Sequence, residues 1–110
     1  MRSHRCTIEQ MAILEPALSE SVGATFAKAL KDATDEAARR GVPYQAAEDF
    51  LLGHLTILLA VAFGIQPNGK LSDGCMLAIN EAEPVIFKEG WLDNIFDPKA
   101  VKASVEAICK

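Results

Sequence analysis

The sequence predicts an all-α fold: one domain of about four to six helices around a central, thoroughly apolar helix at residues 43–64. Three observations predict it. Apolar residues recur every three or four positions and nowhere alternate with period two beyond a few residues, which is the helical period. Capping signals stand at the ends of the periodic stretches. The stretch Phe50–Phe63 is apolar except at Gly53, His54 and Thr56. A helix apolar on nearly every face is expected to be enclosed on nearly every face.

The first helix opens at Thr7. Thr7-Ile8-Glu9-Gln10 is a capping box, in which the Thr and Gln side chains each satisfy the other's orphan backbone N–H. Met11, Leu14, Leu18, Val22, Phe26, Leu30, Ala33 and Ala37 then form one stripe. The stripe ends at Arg39-Arg40-Gly41, with cations in the last turn and glycine after it. Pro16 lies inside this helix. It removes a backbone bond at a cost of about 3 kcal/mol. The expectation is one kinked helix, or a short helix followed by a long one.

Pro43 takes the first position of the central helix, which runs to Gly64. Pro67, Asn68 and Gly69 mark the loop Ile65–Leu71. Ser72 caps a third helix, from Asp73 to about Lys88, that Pro84 kinks or splits before Gly90. Trp91–Phe96 is a short helix or turn. Asp97 caps a last helix that starts at Pro98 and runs to about Cys109.

Composition narrows the function. The net charge is −4 over 110 residues, and the single basic cluster is Arg2, His4 and Arg5. No basic face stands ready for a phosphate backbone, so nucleic acid is excluded as a partner. Apolar residues make up 50% of the chain. Counting glycine instead of tyrosine raises the share to about 55%, above the roughly 45–50% of ordinary soluble domains. A core shared with a second copy, as a homodimer, or with a domain outside this chain is expected. The apolar run of 14 residues is short for a membrane span of about 20, and the N-terminus has no signal-peptide pattern. Cytoplasmic location without a membrane follows as the expectation. Cys6, Cys75 and Cys109 show no metal or disulfide spacing and read as reduced thiols.

Two seams of small residues lie on the helices: Ser19, Gly23 and Ala27 on the first, and Asp49, Gly53, Thr56 and Ala60 on the second. They let backbones approach closely, either on each other or on a second copy.

Candidate chemistry is sparse. His54 lies on the face of Phe50, Leu51, Leu58 and Val61. It reads as a general acid/base or metal ligand, or as a core histidine bonded to a carbonyl or carboxylate. Glu9, Glu15 and Glu20 follow the first helix at spacings of six and five, which do not align on a straight α-helix. A kink at Pro16 could set Glu15 and Glu20 on two walls of one cleft, where carboxylates suit Mg²⁺. Solvated acids are the other reading. Glu48 and Asp49 precede the apolar run, with Asp49 expected to pair with Arg39 or Arg40. No Gly-rich dinucleotide fingerprint, P-loop, G-x-S-x-G or H-E-x-x-H is present. A self-contained enzyme is therefore not expected.

The runs EQMAILEPALSESV (residues 9–22), RRGVPYQAAEDFLLGHLTI (residues 39–57) and SDGCMLAINEAEPVIFKEGWLDNIFDP (residues 72–98) carry a resemblance. From about Arg5 to Lys110 the chain resembles the C-terminal domain of phosphogluconate dehydrogenase-like proteins, related to ketol-acid reductoisomerase-like D-apionate oxidoisomerases. The resemblance implies that residues 7–110 form a helical dimerisation and substrate-capping domain, with 1–6 a disordered or truncated interdomain segment. It implies NAD or NADP held by a Rossmann domain missing from this chain, and a small hydroxy-acid or sugar-acid substrate. It also places outside the chain the interdomain helix that carries a catalytic lysine in many 6-phosphogluconate dehydrogenase relatives. Carried onto this sequence, the site candidates are Glu15, Glu20, Glu48 and His54. The chain then reads as one part of an NAD(P)-dependent oxidoreductase, inactive alone. The competing expectation is a free-standing helical homodimer that binds a partner helix and catalyses nothing.

Overall fold

A computed structural model describes residues 4–108. Arg2 and Cys109, and residues 1–3 of the expected terminal segment, lie outside them. The described residues are all helical in the expected order. Helix α1 is Ile8–Ala12, followed by a π-helix at Ile13–Ala24 and then α2, Thr25–Arg39. Next come α3 (Tyr44–Ala62), α4 (Asp73–Ile86), α5 (Trp91–Phe96) and α6 (Pro98–Ile108). The chain folds as two compact units, one of residues up to Ala29 together with those from Glu89 onward, the other Leu30–Lys88.

In the first unit the capping box forms as expected. The Thr7 hydroxyl accepts from the Gln10 N–H at 3.1 Å, and Gln10 Oε1 accepts from the Thr7 N–H at 2.8 Å. Pro16 then lies inside one continuous helical run, from residue 8 to residue 39, whose middle is not α-helical. In an α-helix its ring would press on the carbonyl of Ala12, four residues back. The chain instead adopts a 12-residue π-helix, whose i→i+5 bonding widens the turn. The Ser21 hydroxyl donates to the Pro16 carbonyl, also five residues back, at 2.8 Å. The π-helix packs against α1, α5 and α6. Its Pro16 and Ala17 are buried, as is Val101 of α6. The Phe26 and Trp91 rings meet at 6.0 Å, tilted by 40°. Asp97 caps α6, its Oδ1 accepting from the N–H groups of Lys99 (2.8 Å) and Ala100 (3.4 Å).

In the second unit the α2 terminus is locally satisfied. Glu36 accepts from Arg39 and from Arg40 Nε, the latter at 2.7 Å. The two guanidinium groups, Arg40 first, hold its carboxyl below the usual range. Gly41 follows at φ +107°, a conformation that glycine adopts without steric penalty. Lys31 bonds Asp35 at 2.6 Å and lies 4.9 Å above the Tyr44 ring. It thereby ties α2 to the start of α3. Asn68, at φ 60°, makes the turn before α4. The Ser72 hydroxyl accepts from the Cys75 N–H at 3.1 Å. Helix α4 ends two residues earlier than the Lys88 of the sequence expectation, with Phe87 extended. Pro84, which has no N–H, lies in its last turn.

Within the single chain the central helix is not enclosed. No residue of α3 or α4 is buried. Phe50 is 69% exposed, Ile57 58% and Phe63 77%. The physical reason is a shortage of partners: 110 residues do not supply enough other helices to cover a helix that is apolar all round. The expectation that this helix is too short to span a bilayer is corrected. At 19 residues, α3 is long and apolar enough by length and composition alone.

Candidate functional site

His54 is held by the turn of helix before it. Its Nδ1 lies 2.9 Å from the Phe50 carbonyl oxygen. A carbonyl only accepts, so Nδ1 is the donor in this bond. The ring stacks on Phe50, with centroids 4.2 Å apart and planes at 27°. Residue 50 thus holds the ring through both its carbonyl and its side chain. The carbonyl bond was one sequence expectation. The core location was not met, because His54 is exposed.

Glu15 and Glu20 are both exposed and both belong to the π-helix. On an α-helix, residues five apart point about 140° away from each other. On a π-helix they return to nearly the same face. On this helix type Glu15 and Glu20 are therefore expected nearer to one side of the helix than α-helical spacing would put them. Among the described residues no group of three or more His, Cys, Asp and Glu side chains gathers as a metal site. Two carboxylates alone fall well short of the near-complete oxygen shell of Mg²⁺.

Glu48 is half-buried and Asp49 exposed. Gln45 Nε2 donates to both, at 3.4 Å to Glu48 Oε1 and 3.0 Å to Asp49 Oδ1. The expected pairing of Asp49 with Arg39 or Arg40 does not form, since both arginines turn to Glu36 one helical turn back. Six residues separate Glu48 from His54, or about 120° around an α-helix, so they do not form an acid/base pair on one face. Thr56 turns its hydroxyl to the Leu52 carbonyl at 3.0 Å. Gln45, which sequence reasoning missed, was legible in its i,i+3 and i,i+4 spacing to the two acids.

The glycines of the two small-residue seams meet nothing tight. A Cβ on Gly53 would have no atom within 4 Å, and one on Gly23 would meet only the Leu18 carbonyl oxygen at 3.5 Å.

The profile of the family described as phosphogluconate dehydrogenase (decarboxylating), C-terminal, matches residues 1–109. The chain belongs to this family. Its relatives include D-apionate oxidoisomerases. That of Rhizobium rhizogenes is 48% identical over 108 residues, 98% of this chain and 38% of the relative. That of Cupriavidus necator is 45% identical over 108 residues, with the same coverage. A crystal structure described as a semialdehyde dehydrogenase NAD-binding protein from Cupriavidus necator, in complex with calcium and NAD, superimposes with a TM-score of 0.93 at 45% identity. This domain covers 98% of itself and 38% of that chain. It thus spans about two-fifths of the relatives it matches, and its helices are those of the phosphogluconate dehydrogenase C-terminal fold.

Proposed function

We propose that this domain is the helical dimerisation and substrate-capping part of a cytoplasmic NAD(P)-dependent oxidoreductase acting on a hydroxy acid or sugar acid. The observation that carries the reading is the exposed apolar α3 in a domain that covers 38% of its relatives. Such a surface is a half-core. A second copy covers it, and the remainder of a longer protein supplies the dinucleotide site. Obligate dimer interfaces of 2,000–5,000 Å² or more are apolar like a bisected core. Gln45, Glu48, Asp49, His54 and Thr56 within α3 favour a protein partner over a bilayer.

The described residues do not fit a dinucleotide. They contain no strand, and the sequence has no Gly-rich strand-to-helix turn for a pyrophosphate. NAD or NADP therefore belongs to the missing Rossmann domain. Within this domain, His54, Glu15 and Glu48 are the proposed acid/base groups. Glu15 and Glu20 supply at most two ligands to a cation, and no step is drawn through a metal.

The reading is tested on the longer protein that carries the domain. With a panel of sugar acids and either NAD⁺ or NADP⁺, it should produce reduced nicotinamide. Failure with every acid and both dinucleotides overturns the reading. The shared core has a separate test. Gly53→Leu meets open space within the chain, so a monomer should keep its melting temperature. In a dimer packed on the small seam, overpacking should cost about 1–3 kcal/mol. A melting temperature equal to wild type at all concentrations would remove that seam from the interface.

A further inference from the structure

We draw no further inference here: the strongest candidate, the exposed apolar surface of α3 and α4 that includes Phe50, Ile57, Leu77 and Val85, belongs to the shared core already proposed, and nothing in the structure shows what covers it.

Discussion

Ile57→Lys should dissociate the domain into monomers and raise the dimer Kd at least about 100-fold. The expectation follows from two opposite accounts of one side chain. Within the single chain Ile57 is 58% exposed on α3. Lysine is a good helix former, and substitutions at such exposed positions usually change stability by no more than about 0.5 kcal/mol. In a dimer built on α3 the same lysine becomes a buried charge with no carboxylate beside it. An uncompensated buried charge costs about 3–5 kcal/mol, which is two to three and a half decades in Kd. Sedimentation velocity across a concentration series measures the result. The wild type should be dimeric, with a melting temperature that rises with concentration, since association stabilises by mass action. A variant that stays dimeric with unchanged Kd takes α3 out of the interface. A monomeric wild type that partitions into phospholipid vesicles replaces the second copy with a bilayer.

That contrast marks where the sequence stopped being informative. The helices, their order and most of their caps were readable, because they depend on contacts three and four residues apart. Thr7 with Gln10, Ser72 with Cys75, and Asp97 with Ala100 are all such contacts. The apolar excess also announced that one chain was not enough. The covering of α3 was legible only in part, because a composition pattern says a helix must be covered without saying by which chain. The pairing of Asp49 was misread for a related reason. Arg39 and Arg40 are near in sequence, but Glu36 lies on their own helix one turn back and takes both. The site was legible only in part. His54 and its partner Phe50 share a face at spacing four, so their bond was foreseeable. The relation of Glu15 to Glu20 was not, since it depends on the helix type that Pro16 imposes.

The same dependence makes Pro16→Ala the most informative change in the first unit. Alanine restores the missing N–H and removes the ring that would press on the Ala12 carbonyl in an ordinary α-helix, an obstacle of about 3 kcal/mol. Residues 13–24 should then rewind from π-helix to α-helix. Rewinding sets Glu15 and Glu20 about 140° apart around the helix. It also draws the Ser21 hydroxyl away from the Pro16 carbonyl that it now meets at 2.8 Å. Opposing this, Pro16 is buried where the π-helix packs against α5 and α6, and trimming its ring removes packing there. The two effects have opposite signs in stability but the same sign in geometry. The measurement is therefore structural: backbone NOEs or a crystal structure of the variant should show i→i+4 bonding across residues 13–24. In the longer protein, turnover should fall at least about tenfold if a shared Glu15–Glu20 face is used, and Glu15→Gln or Glu20→Gln should reproduce the loss without rewinding the helix. A variant that keeps the π-helix would show that packing against α5 and α6, and not proline, selects it. A rewound variant with full turnover would remove Glu15 and Glu20 from the site.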